Sequence, residues 1–584
     1  MLTKLEKLKG CKDRKELASL LGIKPSDLSY TIYKISAKSR YQSFNIRKAS
    51  GGIRTIHAPN SRLKSIQRRV SNLLYDCYKE IHPTTTYTDR ELSHAFQKKR
   101  GLSIASNATK HKNRRFVFNL DFKDFFGCFN FGRVRGYFLS NNDFKLNPEV
   151  ATTLAQICCH NNKLPQGAPT SPIVTELITR ILDIRLSKIA SKNGCRYSRY
   201  ADDLTFSTNK RTFPDAIAKE ESDGILAVGH ELLNKIHNSG FLVNQKKTRM
   251  HFCDSRQEAT GLIINKKVNV SKEYTKQVRS MCYSLFKKGE CHIVPPNSSN
   301  KIPVSASVLG GKLAHMFYIK TREYLDSEGK PFRLDKFKIS DKRYEIPAFY
   351  ERYRQYIYFQ NFYYNQMPTI LCEGKTDPVY LRCAIKSLAS SIPLLSSGDT
   401  SKNNIDCQFF NYSKTAMSVT CLTGGAKPIK NFVITYDKDS SIFTAPNGQA
   451  NPVIVVVDND DANKGLKSIL KTELEVDYVD FSKPFYHVTK NLYIVPIPIK
   501  KEYPTDIEDL FDEETLNIEL NKKKFKRHQG NGVKLGKKEY SKWHFAKHVV
   551  LKKQETIDFS GFLPLLKNIE SVIKDHKDKK TCTE

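Results

Sequence analysis

The chain has little that would suit a secreted, zinc-bound or membrane-spanning protein. Its 14 cysteines are scattered without a single C-x-x-C pair, which argues against a zinc ribbon or knuckle and is typical of reduced intracellular thiols. No apolar run reaches the about 18 residues that a membrane span requires, and the first residues lack the apolar core of a secretion signal. The sequence therefore predicts a cytoplasmic protein with no membrane partner.

Acidic residues are scarce relative to basic ones. The 584 residues include 96 Lys and Arg against 60 Asp and Glu, so the formal net charge is +36. A polyanion such as nucleic acid is the natural partner of this surplus, and salt should weaken the binding steeply. The densest basic runs span residues 98–100, 110–115, 245–249 and 521–527.

Three acids of the first half occur in a pattern that suggests chemistry. Asp202 and Asp203 lie between two stretches rich in strand-favouring residues, which predicts a hairpin with both acids at its tip. The apolar run 116–120 ends in Asp121, as expected of a buried strand that delivers an acid to its end. Buried carboxylates repel each other and require a cation such as Mg²⁺. Three such acids would hold the two metal ions used for nucleotidyl transfer.

The order of these segments resembles the palm of reverse transcriptases, over residues 43–320. Between the acidic segments, a turn rich in Pro and Gly at 164–172 leads into an apolar helical segment, 173–186. The resemblance implies that the three acids are the catalytic ligands of two Mg²⁺ ions. It also implies an RNA-directed DNA polymerase whose substrates are deoxynucleoside triphosphates.

The same resemblance assigns four residues to nucleotide binding. Phe126 would stack under the incoming sugar and exclude a ribose 2′-hydroxyl. Gln166 and Gly167 would line the nucleotide pocket. Arg54 would reach the triphosphate from the fingers, because the planar guanidinium fork pairs with phosphate oxygens. The alternative for Arg54 is an ordinary surface cation.

Two further strings are similar to elements of bacterial retron reverse transcriptases. One runs from Asn107 to His111 and matches an Asn-Ala-x-x-His element. The other contains Thr260 and Gly261 and matches a Val-Thr-Gly element, except that Ala259 stands where Val is usual. The resemblance implies that Asn107, His111, Thr260 and Gly261 belong to the RNA-binding surface.

The retron resemblance also implies the partners and the product. Such enzymes bind a cognate noncoding RNA and start DNA synthesis from the 2′-hydroxyl of a guanosine, which leaves a branched RNA–DNA molecule, the msDNA. They work in the bacterial cytoplasm as antiviral defence, and the ribonucleoprotein would offer a route to a homo-oligomer. A group II intron-like reverse transcriptase is an alternative that shares the palm. It would be expected to carry maturase features, and the Asn-Ala-x-x-His string and the acids of the last third argue against it.

The last third contains a second acidic pattern. A short apolar strand precedes Glu373, and Asp377 follows where it can cap a helix. Residues 453–457 form a continuous β-branched run, typical of a strand buried on both faces in a parallel sheet, and lead into Asp458 and Asp460. This combination resembles the Toprim fold of topoisomerases, primases and related nucleases. The resemblance implies one or two Mg²⁺ ions on Asp458 and Asp460, with Glu373 as a ligand or general acid–base.

Two later residues are similar to further Toprim nuclease positions. Glu508 would be another metal ligand, although an acid at a helix N-terminus is an equal alternative. Lys542 would contact a substrate phosphate or act as a plain surface charge. The nuclease substrate would be DNA or a structured RNA such as tRNA. The rival interpretation makes the last third a noncatalytic module that binds nucleic acid.

The predicted fold class is therefore multidomain, α/β and α+β. A right-hand reverse transcriptase with fingers, palm and thumb precedes a Toprim α/β domain with a parallel sheet. The predicted division is a helical extension over 1–42, fingers and palm over 43–250, a thumb with a retron-specific RNA-binding element over 251–320, an aromatic and basic connector over 321–366, and a Toprim-like nuclease domain over 367–584.

Overall fold

The computed structural model of the chain divides into two compact units, residues 1–271 and 272–584. In the part of the chain that the structure describes, no helix is long and apolar enough to cross a membrane. The described residues are 2–47, 51–83, 91–98, 101–220, 226–295, 299–322, 346–397, 405–499, 505–527 and 535–581.

The first unit surrounds a small antiparallel sheet with helices. Its helices are α1 Lys4–Gly10, α2 Arg14–Leu20, α3 Pro25–Ser29, α4 Ala37–Arg40, α5 Ser61–Ile81, α6 Ile104–His111, α7 Phe131–Ser140, α8 Pro148–Cys158, α9 Ser171–Lys192 and α10 His230–Asn238. Its strands are β1 Tyr41–Arg47, β2 Ile53–Pro59, β3 Phe116–Asp121, β4 Arg196–Tyr200, β5 Asp203–Thr208, β6 Ala218–Glu220, β7 Leu226–Val228, β8 Arg249–Phe252, β9 Glu258–Ala259 and β10 Leu262–Ile263.

The central sheet of this unit has the strand order β4-β5-β3-β8, with all neighbours antiparallel. Helix α9 packs against β4, and its buried face carries Ile173, Leu182 and Leu186. Strand β3 contributes Phe118 and Leu120 to the same continuous core. This packing holds in place the end of the sheet at which β3 ends and the β4–β5 hairpin has its turn.

The second unit is built on a mostly parallel sheet. Its helices are α11 Lys272–Lys288, α12 Ala306–Thr321, α13 Ala348–Tyr358, α14 Asp377–Ser387, α15 Lys414–Thr420, α16 Ala426–Ser440, α17 Lys464–Glu473, α18 Glu513–Leu516, α19 Lys542–His544 and α20 Leu563–Thr581. Its strands are β11 His292–Ile293, β12 Ile302–Pro303, β13 Thr369–Cys372, β14 Gln408–Phe409, β15 Val453–Val457, β16 Tyr486–Thr489, β17 Leu492–Pro496, β18 Lys524–Phe525 and β19 Glu539–Tyr540.

The main sheet of the second unit has the order β14-β13-β15-β17-β16. The first four strands in that order are parallel, and β16 is an antiparallel edge strand. Every residue of β13, β15 and β17 is buried. Full burial follows from the sequence, because strands covered by helices on both faces are apolar at every position. The carboxyl ends of β13 and β15 therefore open at the same end of the sheet.

The predicted domain boundaries stay predictions, but two observations bear on their neighbourhood. Helices α11 and α12, which lie in the predicted thumb, belong to the second compact unit. Of the predicted connector, residues 323–345 lie outside the described part of the chain. The remainder contains α13, whose Phe349 and Tyr350 are buried within the second unit.

Candidate functional site

The three acids of the first unit meet where β3 ends and the β4–β5 hairpin turns. Asp121 is the register partner of Asp203 across the sheet, and the amide of Phe122 donates to the carbonyl of Asp202 at 3.0 Å. The hairpin predicted from the sequence is confirmed, with Ala201 and Asp202 in its turn. Pairing of β3 with β5 therefore brings together carboxylates more than 80 residues apart in the sequence.

Burial and mutual repulsion dominate the electrostatics of this cluster. Burial, followed by the charges of Asp202 and Asp121, raises the pKa of Asp203 to about 7. Burial and the charge of Asp121 also raise the pKa of Asp202. The Lys247 ammonium lies 2.7 Å from Asp121 Oδ2, and this hydrogen bond raises the pKa of Lys247. The ammonium of Lys247 thus already neutralises part of the charge at Asp121.

A fully buried arginine fastens the β4–β5 hairpin to helix α9. Arg199, on β4, makes two 2.8 Å bonds to Asp183 and bonds of 3.0 and 3.2 Å to Glu176, both on α9. Its Nη1 also donates to the carbonyl of Ala201 at 3.0 Å. Ala201 has a φ of 58°, an uncommon conformation for a residue with a side chain. Arg199 therefore stabilises the turn that carries the two adjacent acids.

The predicted nucleotide-binding residues line one cleft beside the acids. The cleft has a volume of about 990 Å³, and its walls include Arg54, Phe126, Gln166 and Gly167 together with two of the acids. The carbonyl of Gln166 accepts a 2.8 Å bond from the amide of His57, which joins the turn to β2. Gly167 has a φ of 121°, and a Cβ there would lie 2.9 Å from the carbonyl oxygen of His57. Only glycine fits this approach of the turn to the strand.

The Asn-Ala-x-x-His string lies on α6 and faces the interior. His111 is fully buried and bridges the hydroxyls of Ser198, on β4, and Ser207, on β5, at 2.7 Å each. Asn107 is also fully buried and accepts a 2.6 Å bond from Ser198. Burial lowers the pKa of His111 well below its ordinary value, so the ring is neutral. Both side chains are buried and hold the hairpin strands together, and their part in RNA binding stays a prediction.

The second string forms the turn between β9 and β10 and packs against α6. Thr260 has a φ of 49° and Gly261 a φ of 77°, the left-handed pair expected of a two-residue hairpin turn. The Thr260 hydroxyl donates to the carbonyl of Ile104 on α6 at 3.2 Å. The second string therefore contacts the helix that carries the first, about 150 residues earlier in the sequence. Gly261 is exposed, and its part in RNA binding stays a prediction.

A second acidic centre lies at the carboxyl ends of β13 and β15. Glu373 follows β13, and its Oε2 accepts bonds from the Asp458 amide at 3.2 Å and from Asn463 Nδ2 at 3.0 Å. Asn463 also donates to the Asp458 carbonyl at 2.9 Å and to Asp460 Oδ1 at 3.3 Å. One buried amide thus bonds to the carboxylates of Glu373 and Asp460 and to the backbone of Asp458. Asn463 was not identified from the sequence. Its only sequence signal is its position five residues after Asp458.

Asp458 has the most perturbed carboxylate of this centre. Burial, followed by the charges of Glu373 and Asp377, raises its pKa to about 9. Its Oδ1 is buried and has no hydrogen-bond partner within the described residues. Asp377 lies on the first turn of α14 and accepts the Gly374 amide at 2.7 Å. A buried oxygen without a partner is costly, which favours a ligand that the protein alone does not supply.

Buried Glu508 forms an ion pair with the partly exposed Lys542 next to this centre. Glu508 is fully buried, and Lys542 Nζ lies 2.9 Å from its Oε2. Burial raises the pKa of Glu508 to about 7 even though Lys542 opposes the rise. Asp506 lies 3.8 Å from the same ammonium. Lys542 is therefore held by acids, whereas the sequence suggested a phosphate contact or a plain surface charge.

The donor sets of both centres suit a hard cation. Within the described ranges, no three His, Cys, Asp or Glu side chains are already arranged as a metal shell. The donors are carboxylates and an amide, the groups that Mg²⁺ prefers. At Asp121 an ammonium already occupies one oxygen, and at Asp458 an oxygen lacks any described partner. Both observations fit acids that are completed by a cation.

The first part of the chain is similar in sequence to known proteins of one family. A family model described as reverse transcriptase (RNA-dependent DNA polymerase) matches residues 46–283. Retron Mx65 reverse transcriptase of Myxococcus xanthus is 33% identical over 46% of this chain and 62% of its own length. Retron Ec86 reverse transcriptase of Escherichia coli is 32% identical over 43% of this chain and 72% of its own length.

Solved structures add only a distant likeness. Telomerase from Candida albicans is 11% identical, with a TM-score of 0.31 over 69% of this chain and 65% of that chain. A score this low carries no weight. Since the chain covers nearly three quarters of the Escherichia coli relative at 32% identity, it belongs to the retron reverse transcriptase family.

Proposed function

We propose that the first unit is an RNA-directed DNA polymerase that makes a branched RNA–DNA from a cognate noncoding RNA. The meeting of Asp121, Asp202 and Asp203 at one end of the sheet carries this proposal. These residues would hold Mg²⁺, which supplies charge stabilisation for nucleotidyl transfer. Family membership supports the noncoding RNA and the branched product, because the relatives bear the name retron reverse transcriptase.

The cleft residues would select and orient the nucleotide. Arg54 offers a guanidinium fork to the triphosphate, and Gly167 keeps the turn close to β2. Phe126 would leave no room for a ribose 2′-hydroxyl. A Phe126→Ala variant should therefore use ribonucleotides more readily relative to deoxynucleotides. An unchanged preference in primer extension would refute this role.

The polymerase proposal is tested by removing charge while keeping shape. Asp202→Asn together with Asp203→Asn should abolish DNA synthesis on the RNA that co-purifies with the protein. The protein should remain folded and RNA-bound, because Arg199 still holds the turn. The matched control is Asp143→Asn, which changes an exposed acid of the same unit. Normal DNA yield from the double variant would refute the proposal.

For the second unit we propose a Mg²⁺-dependent nuclease of the Toprim type. The observation that favours it is a buried oxygen of Asp458, at the end of a parallel sheet beside Glu373 and Asp460, that has no partner among the residues the structure describes. Asp458 and Asp460 would hold the metal, which would activate water for attack on a phosphodiester, and Glu373 would be a further ligand or the general acid–base. Asn463 would orient these acids, and the raised pKa of Glu373 suits proton transfer.

The nuclease proposal has a direct test in the full-length chain. Purified protein freed of its bound nucleic acid should cleave single-stranded DNA or a folded RNA such as tRNA with Mg²⁺ and not with a chelator. Glu373→Gln should abolish cleavage, whereas Asp477→Asn, an exposed acid of the same unit, should not. Equal cleavage by the Glu373→Gln protein, or none by the wild type, would leave a noncatalytic binding module as the better account.

The two activities together suggest a role in antiviral defence. The branched RNA–DNA would restrain the nuclease until infection disturbs it, as the family resemblance implies. In cells, Glu373→Gln should then remove protection against phage but leave the branched DNA intact. If this variant protects as well as the wild type, the defence role does not depend on the second centre.

A further inference from the structure

The chain has one tryptophan, and it is exposed. Trp543 has 53% of its surface accessible, on the segment that continues from α19 into a π-helical turn over Phe545–Val550. The other side of this segment is anchored in the core through Phe545, Val549 and Val550, all fully buried. The segment is therefore firmly held, and the indole projects from its exposed side.

Cationic and imidazole groups surround the indole. Lys547 Nζ lies 4.9 Å from the centroid of the Trp543 ring, a cation–π distance. The rings of His544 and His548 contact the indole edge-on, with centroids 5.0 and 5.8 Å away. Ser541 lies 2.9 Å from His544 Nδ1 and helps to fix that ring. An aromatic face bordered by positive charge matches a nucleic acid, which offers flat bases and phosphates together.

The position of the indole relates it to the second acidic centre. The residue immediately before Trp543 is Lys542, whose ammonium lies 2.9 Å from Glu508. Trp543 is therefore one residue along the chain from a side chain that bonds to an acid next to this centre.

We propose that Trp543 is a stacking platform for an unpaired base of a single-stranded nucleic acid. Lys547 strengthens the platform through its charge, and His544 and His548 border it. Binding of the base is inferred from the geometry of these side chains alone. Delivery of the strand for cleavage rests on the nuclease function proposed above. A base has a π face whatever its identity, so the platform should tolerate different sequences.

The single tryptophan makes the test specific, because indole fluorescence reports on this position and no other. The full-length protein is titrated in a chelator with three 12-nucleotide probes: oligothymidylate, oligouridylate and an abasic strand with the same phosphates. A base-bearing strand should quench the emission, whereas the abasic strand should bind without quenching. Quenching by both base-bearing strands supports a platform indifferent to the sugar, and quenching by one identifies its preferred nucleic acid. No quenching at saturation, or equal quenching by the abasic strand, would overturn the proposal.

Cleavage separates this proposal from the nuclease function. Trp543→Phe keeps a ring and should retain most cleavage, whereas Trp543→Ala should cut single strands about 10- to 100-fold less efficiently through a higher KM. The metal concentration needed for half-maximal cleavage should not change. Quenching without cleavage by the wild type would leave the platform standing and refute the nuclease. Cleavage without quenching, or equal KM values for all three proteins, would refute the platform.

Discussion

The two acidic centres of this chain are assembled in different ways. In the first unit, Asp121 and Asp203 face each other across antiparallel strands, and the turn that carries Asp202 is held by Arg199. In the second unit, the acids follow two neighbouring parallel strands, and the amide of Asn463 joins them. The charged guanidinium of Arg199 therefore stabilises the turn of the first cluster, whereas the neutral amide of Asn463 organises the second.

The two centres also differ in how far nearby cations neutralise the charge of their acids. The first cluster has Lys247 on one of its carboxylates, and the most perturbed pKa there reaches about 7. In the second, Lys542 binds Glu508, and the pKa of Asp458 rises to about 9. Asp458 is thus harder to ionise than Asp203, first because of burial and then because of neighbouring charges, and a divalent ion would oppose both effects. The dependence of the second centre on metal should be the stronger of the two.

The largest effect should follow from breaking the arginine network of the first unit. Arg199→Met leaves Glu176 and Asp183 buried without their partner, so the free energy of unfolding should fall by about 3–5 kcal/mol. Lys542→Met in the second unit should cost less, because that lysine is partly exposed and Glu508 can take up a proton.

Urea denaturation of the full-length variants measures these losses. Lys188→Met removes an exposed cation from the same helix as Asp183 and should change stability little. Equal losses in the Arg199 and Lys542 variants would remove the proposed difference between the centres.

The next effect concerns the amide that joins the second centre. Asn463→Leu should weaken Mg²⁺ binding for cleavage by about 10- to 100-fold, because the acids lose the group that orients them. The corresponding change in the first centre is Asn244→Leu, which removes one 3.4 Å contact to Asp121 and should have a small effect on DNA synthesis. Mg²⁺ titrations of both activities make the comparison. A larger effect of the Asn244 change would reverse the order proposed here.

The pH dependence should separate the two metal sites. A proton on the carboxylate competes with the metal, so affinity falls about tenfold per pH unit below the pKa and is constant above it. The half-saturating Mg²⁺ concentration for DNA synthesis should therefore be constant from pH 7 to 9, since the pKa of Asp203 is about 7. The concentration for cleavage should fall throughout this interval, since the pKa of Asp458 is about 9. If the half-saturating Mg²⁺ concentrations of the two activities changed with pH in the same way, the proposed difference between the two centres would be contradicted.

The smallest effect should come from the buried histidine that joins the hairpin strands. Ser207→Ala removes one hydrogen bond to His111 and should cost about 1 kcal/mol. Ser198→Ala should cost more, because that hydroxyl also donates to Asn107. Denaturation midpoints of the two variants decide the order, and no loss in either would show that the network is not holding the hairpin.

The acids themselves were predictable because strand patterns are local. An apolar run that stops at Asp121, and a β-branched run that stops before Asp458, each place an acid at a strand end. The partners were not predictable in this way. Arg199 finds Glu176 and Asp183 through the packing of a helix on a strand, and the sequence alone did not identify that contact. The family resemblance likewise did not reveal that Asn107 and His111 are buried.

The most direct test of two independent centres measures both activities in one preparation. The wild type, the Asp202→Asn/Asp203→Asn protein and the Asp458→Asn protein are each assayed for DNA synthesis and for Mg²⁺-dependent cleavage. We expect each variant to lose one activity by at least about a thousandfold, in the range found when essential active-site residues are removed, and to keep the other. Loss of both activities in either variant, or cleavage by the Asp458→Asn protein at the wild-type rate, would contradict the account.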